Sequence, residues 1–161
     1  MRDTPLAIQA LGEPIKKLIV IGLLICTMAC GSSTTGHAHQ VGTVTLVISG
    51  GFTGWVRTLT VDPDGMARLT MKQGPAPTRG PHAVTQQQLA QLRSVIANEE
   101  FARLKAEYPA PPGGADLQTY DLTADVDGKQ LHTITYDGAN RPQVLSDALS
   151  LLNDVLVSFA P

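Results

Sequence analysis

Thr119-Tyr120-Asp121-Leu122-Thr123-Ala124-Asp125-Val126, then Asp127-Gly128, then Lys129-Gln130-Leu131-His132-Thr133-Ile134-Thr135-Tyr136 is the stretch on which the fold of this 161-residue chain turns. Tyr120, Leu122, Ala124 and Val126 share one face of the first run. Asp-Gly between two alternating runs is a strong short-range signal for an antiparallel hairpin.

Upstream, Val44, Leu46 and Ile48 alternate with Thr43, Thr45 and Val47, which suits a strand buried on one face. Ser49-Gly50-Gly51-Phe52-Thr53-Gly54 interrupts the pattern, and residues 55–61 read as a second strand. Asp62-Pro63-Asp64-Gly65 supplies proline and glycine for a tight turn, so residues 67–71 return as a third, shorter strand. Residues 72–81 hold three prolines and two glycines and are expected to form a surface loop rather than a central strand.

Thr85-Gln86-Gln87-Gln88 has the spacing of a capping box, and Leu89, Leu92, Val95 and Ile96 follow at helical intervals. Asn98-Glu99-Glu100-Phe101 reads as a break and restart into a short second helix carrying Phe101 and Leu104, ended by residues 109–114. After the hairpin, Asn140 is placed to cap a last helix whose first turn tolerates Pro142. Its buried stripe is Leu145, Ala148, Leu149, Leu152, Val155, Leu156 and Phe159.

Strands, helix, strands, helix, joined by hairpins, predict an α+β domain: a mostly antiparallel sheet of about five strands with helices packed on one face. The threonines of the other face, and Arg57, are then expected to be solvated.

The amino-terminal part obeys different rules. Lys16 and Lys17 precede an apolar run over residues 18–29 that is short for a bilayer span, and Cys30 follows Ala29 directly. The layout resembles a bacterial lipoprotein signal, in which the cysteine is acylated and becomes the first residue of the mature protein. Thr27 and Met28 depart from the usual residues there, and an ordinary signal peptide or an uncleaved anchor helix is the alternative. The expected organisation is a signal peptide over residues 1–29, a small, polar, flexible tether over residues 30–42, and one domain over residues 43–161. The protein is thereby expected to be exported and held on the outer face of the bacterial cell membrane through lipid on Cys30.

Removing residues 1–29 takes Lys+Arg from 12 to nine and Asp+Glu from 14 to twelve, a net charge of about −3. A mildly acidic surface without basic clusters argues against nucleic acid as a partner. With Cys30 acylated no internal disulfide forms, so the domain stands on its core alone.

Catalytic signatures are lacking. The chain has no pair of histidines one helical turn apart with a glutamate, no Gly-x-Ser-x-Gly, and no Gly-Lys-Ser/Thr after the glycines at 50, 51 and 54. His37 and His39 flank Ala38 in the tether and read as solvated, while His82 and His132 have no partner visible in the sequence. Asp62 with Asp64, and Asp125 with Asp127, fall at turns, where aspartate bonds its own backbone. The chain is read as no enzyme, and nothing in it demands a cofactor or a metal. An enzyme would require His132, Asp116 and Ser49 to gather within hydrogen-bond reach.

Ser49-Gly50-Gly51-Phe52-Thr53-Gly54, followed by Arg57 in the next strand, resembles the opening of the emfourins, small bacterial inhibitors of protealysin and related thermolysin-like metalloproteases. In that family a Ser-Gly-Gly-Phe-x-Gly turn follows the first strand. Leu89, Leu92 and Phe101 match its helix and following phenylalanine. The run from Gly114 through Asp116 to Tyr120 and Leu122 looks like its aspartate and aromatic-led strand. Asp127-Gly128, His132, Pro142 and the leucine-rich final helix complete the order, so the resemblance covers most of residues 43–157. The leader, the tether and the Pro-rich stretch after Met71 are departures from it.

The resemblance implies a lipid-anchored inhibitor of a secreted or surface metalloprotease, contacting it through Ser49, Gly50, Gly51, Phe52, Thr53, Gly54 and Trp55, with Gly113, Gly114 and Asp116 as a second loop beside them. Two points stay open at this level. Phe52 and Trp55 either meet a partner or pack under the hairpin, and Asp116 either caps a strand start or offers a free carboxylate. The competing function is a non-enzymatic accessory or ligand-binding surface lipoprotein of the same fold.

Overall fold

A computed structural model describes residues 39–72 and 78–159. The leader, Cys30, His37 and the tether up to residue 38 lie outside the described residues, as does the middle of the Pro-rich stretch. The elements run β1 (Val41–Gly50), β2 (Val56–Val61), β3 (Met66–Lys72), β4 (Arg79–Ala83), α1 (Gln86–Ile96), α2 (Glu99–Ala102), β5 (Glu107–Tyr108), β6 (Gln118–Val126), β7 (Lys129–Tyr136) and α3 (Gln143–Val157).

The strands make one seven-stranded sheet in the order β4-β3-β2-β1-β6-β7-β5. The α+β class holds, but the sheet is mixed and larger than the expected five strands: β5 runs parallel to β7, and every other pairing is antiparallel. Both additional strands are edges. β4 contains Pro81, which an edge position tolerates, and β5 is only two residues long, below the length at which alternation is visible. The second helix is correspondingly shorter than expected, closing at Ala102, and the chain then turns into β5.

Register explains the core. Leu69, Leu59, Leu46, Leu122 and Thr133 form one row across the sheet, and Ala67, Val61, Val44, Ala124 and Leu131 form the next. With the exception of half-buried Leu131 these residues are buried, together with Leu89, Leu92 and Ile96 of α1 and Leu145, Ala148, Leu149 and Leu152 of α3. Asp127 (φ 52°) and Gly128 (φ 75°) both adopt left-handed backbone, the geometry of a type I′ turn whose twist matches the strands on either side.

A third row, Met71, Arg57, Ile48, Tyr120 and Thr135, lies on the same face. Arg57 is therefore on the helix side of the sheet, half-buried, and not on the solvated face: two-residue periodicity from Leu59 and Val61 places it there. Threonine parity also differs in β7, where Thr133 and Thr135 point into the core. The other face, with Thr45, Thr58, Thr60, Thr70 and Thr123, carries no helix among the described residues, and these threonines are half-buried among their neighbours.

Thr85 and Gln88 form the expected capping box. Asn140 does not cap α3: Pro142 is its N-cap residue and makes no side-chain bond. Without an N–H, proline at that point leaves its carbonyl to accept from Leu145 and Ser146. β1 begins at Val41, so the expected tether ends earlier than residue 42.

The two core threonines differ in satisfaction. Thr133 Oγ1 donates to the Lys105 carbonyl at 2.8 Å, while Thr135 Oγ1, in a residue only 1% exposed, has no partner among the described residues. Thr135→Val is expected to stabilise the fold by about 1 kcal/mol, and Thr133→Val to destabilise it by a similar amount, because only the second leaves a polar group stranded. Urea unfolding midpoints of the two variants check this. A lower midpoint for Thr135→Val would show that its hydroxyl is satisfied.

Candidate functional site

Three segments meet at one end of the sheet: residues 49–55, the end of β1 and its connection to β2; residues 111–117 before β6; and residues 137–142 before α3. The first is shaped by glycine. Gly50, Gly51 and Gly54 have φ of 85°, 68° and 62°, a region that residues with a β-carbon rarely occupy. A β-carbon on Gly50 would lie 2.7 Å from the Leu117 carbonyl oxygen, so the close approach of the two loops also requires glycine. Gly51 N–H donates to that carbonyl at 3.2 Å, and Gly54 N–H closes a turn onto the Gly51 carbonyl at 3.2 Å.

The loop thus held presents Phe52 to solvent. Phe52 is 94% exposed and does not pack under the hairpin, whereas Trp55, 43% exposed, has more than half of its surface covered. Ser49 and Gly51 are half-buried at the base, whereas Gly50, Thr53 and Gly54 are exposed. The aromatic ring is a protruding apolar group on a short, internally bonded turn.

The second loop touches the first through Leu117 and Gln118. Asp116 takes φ 55° and is exposed, and its carboxylate has no hydrogen-bond partner among the described residues. The cap on the start of β6 comes instead from Asp137, whose Oδ2 accepts from Gln118 N–H at 3.1 Å. Gly113 (φ 76°) is open to solvent, and Gly114 leaves room for Leu117, whose Cδ1 would be 2.4 Å from a β-carbon there.

Asp137 is the brace of this end, and no local pattern marks it. Its Oδ1 accepts from the Tyr120 hydroxyl at 2.7 Å, its backbone N–H donates to the Gln118 carbonyl at 3.0 Å, and the Tyr120 oxygen lies 3.1 Å from the Gln118 carboxamide. Burial, followed by the hydrogen bond to and the charge of Asp137, pushes the Tyr120 phenol up to about 12. Tyr136, at the end of β7, is raised by the Glu107 carboxylate, on which its hydroxyl donates at 3.2 Å.

The histidines lie elsewhere. His132 Nε2 is 2.9 Å from Asp121 Oδ1 on the helix-free face, and both side chains are exposed. Ser49 stands across from Thr119 and His132 across from Thr123, four residues apart along β6, so Ser49, His132 and Asp116 do not assemble. His39 is not simply solvated: its Nδ1 lies 2.5 Å from Asp127 Oδ2, while Gln40 N–H donates to Oδ1 at 2.8 Å. The His39 bond, and then that from Gln40, hold the Asp127 carboxyl below its ordinary value. Among the described residues no cluster of three or more His, Cys, Asp or Glu has the spacing to hold a metal ion.

The folded-state Tyr120 value lies above the ordinary 10.0, so the native state keeps the proton longer than the unfolded chain does. Its contribution to stability is complete below about pH 10 and is lost as pH rises toward 12. Tyr120→Phe is expected to remove the highest tyrosine step from an absorbance titration, cost about 1 kcal/mol at neutral pH, and flatten the stability decline above pH 10. An unchanged titration curve in that variant would contradict the assignment.

No protein-family model matches the chain, and no curated protein matches it, so the geometry of this end of the domain stands as the basis for a functional reading.

Proposed function

We propose that the protein is a lipid-anchored inhibitor of a thermolysin-like metalloprotease, engaging it through residues 49–55 with residues 113–116 alongside. The observation that carries this reading is Phe52: a large apolar side chain 94% exposed at the tip of a glycine-built turn that is bonded to its neighbour loop. Exposed aromatic groups on pre-organised turns are the anchors from which interfaces draw most of their affinity, because little conformational entropy remains to be lost on binding. The bonds from Gly51 to Leu117 and from Gly54 to Gly51 supply that pre-organisation.

The direction of the chain supports the same reading. Val41 and Gly50 are the two ends of β1, so the segment leading back to Cys30 departs from the end opposite the loop, about 30 Å away at strand rise. Residues 49–55 thus lie at the opposite end of β1 from the lead-in at His39 and Gln40. The His39 and Gln40 contacts to Asp127 strap the departing segment to the β6–β7 turn.

Stoichiometric loss of activity when a leaderless form beginning at Gly31 is titrated into a thermolysin-like metalloprotease, with a serine protease unaffected, is the expected result. Phe52→Ala is expected to weaken inhibition by about 30-fold, or roughly 2 kcal/mol, and Gly51→Asp to do the same by straining the turn. Inhibition that is unchanged in both variants would remove the loop assignment. No inhibition by the unaltered protein would favour an accessory or ligand-binding lipoprotein.

A further inference from the structure

We infer that the open edge of β7 is a docking site for an extended peptide segment of a partner protein, one that carries a compact aliphatic residue flanked by carboxylates. β7 runs from Lys129 to Tyr136, but its outer neighbour β5 pairs only with Ile134 and Thr135. The stretch from Lys129 to His132 therefore has β6 on one side and no described strand on the other.

The polarity of that edge follows from the turn before it. In a two-residue hairpin the closing pair, here Val126 and Lys129, exchanges both backbone bonds. Lys129, Leu131, Thr133 and Thr135 therefore bond inward to β6, and the alternate residues face outward. Ile134 fits this parity, since its N–H donates to the Ala106 carbonyl at 2.9 Å. Gln130 and His132 consequently direct an N–H and a C=O each away from the sheet, and no described residue bonds them there. At the opposite edge of the sheet, β4 discourages further pairing through Pro81 and a register shift against β3. β7 contains no proline, and its register with β6 is unbroken.

A recess lies beside the open stretch. Phe101 of α2 and Leu104 just after it, together with Leu122 and Leu131, line a space of about 130 Å³ that also touches Gln130 and His132. A strand added antiparallel along the edge would satisfy all four outward groups with three residues, the outer two opposite His132 and Gln130. Its middle residue, opposite Leu131, shares the face of Leu131 and so points at the recess, whose volume is of the order that takes one small hydrocarbon group. Charge decides the flanks. Lys129 bounds the open stretch on one side, and Lys105, whose carbonyl takes the Thr133 hydroxyl, bounds it on the other. Both lysines are exposed, and neither has a carboxylate partner among the described residues. Two copies of the chain joined through this edge would bring these lysines together, whereas a partner with acidic flanks would neutralise them. The inference does not rest on protease inhibition: the stretch begins at the Asp127-Gly128 turn, at the opposite end of the sheet from residues 49–55.

The test is an NMR titration of the full-length chain in mild detergent with the acetylated, amidated pentapeptide Glu-Thr-Ile-Thr-Glu. Expected are saturable shifts at Leu104, Gln130, Leu131 and His132, half-complete at about 1 mM, with slowed hydrogen exchange of the Gln130 and His132 amides. Methylating the amide nitrogen of either peptide threonine is expected to weaken binding at least about tenfold, because those nitrogens face β7. Methylating that of the isoleucine, which faces away, leaves affinity within about twofold. Lys129→Glu is expected to weaken the acidic peptide by about threefold and to strengthen Lys-Thr-Ile-Thr-Lys by a similar factor. Absence of saturation, or loss of binding on methylating the isoleucine but not the threonines, overturns the proposal. So does a dimer in sedimentation velocity whose newly protected amides are those of Gln130 and His132.

Discussion

Leu46 sits between Leu59 and Leu122 at the centre of the sheet, and the pairing that puts it there determines the side of every other strand residue. A slip of one residue in β1 against β6 would exchange Val44, Leu46 and Ile48 for Thr45, Val47 and Ser49 beneath the helices, exposing the apolar set. Burial of the two leucine and valine rows under α1 and α3 therefore selects one register, and that register carries outward from β1 into β2, β3 and β7. The third row follows without choice. Arg57, Tyr120 and Thr135 are brought to the helix side because they are in phase with the leucines, and the polar character of this row is what distinguishes one end of the domain chemically.

The two ends are built differently. At one, the connections are tight: Asp62–Gly65 closes with Gly65 N–H on the Asp62 carbonyl, and Asp127-Gly128 closes in two residues. α1 packs over the first of these, with Leu89 against Gly65 and Arg93 donating to the Pro63 carbonyl. Backbone there is spent on reversing direction. At the other end the connections are long, glycine-rich and joined to each other by Gly51, Leu117, Gln118 and Asp137, which is an arrangement that holds exposed groups still without burying them. The loop that follows β1 is joined to this brace through Leu117 and Gln118, and Tyr120 is held by it directly.

Much of the fold was legible because its signals are local. The Asp127-Gly128 turn, the capping box at Thr85, the stripe of α3 and the strands flanking Asp62–Gly65 each follow from residues adjacent in sequence. Two edge strands escaped because β4 carries Pro81 and β5 has two residues, and both exist through pairing with a strand already formed. The loop over residues 49–55 was legible as a glycine block. Its brace was not, since Asp137 and Gln118 lie 19 residues apart and neither belongs to a motif.

By itself the sequence determined the five inner strands, the helices, the class and the glycine turn, since alternation, capping and positive φ are requirements of a few neighbouring residues. Only the tertiary structure decided that Phe52 stands in solvent, that Thr133 and Thr135 are buried beneath the helices, and that Asp137 rather than Asp116 caps the start of β6. Those outcomes depend on which strands become neighbours and on what the helices leave uncovered. Both are set by burial summed over the whole sheet, and no short window of sequence contains that sum.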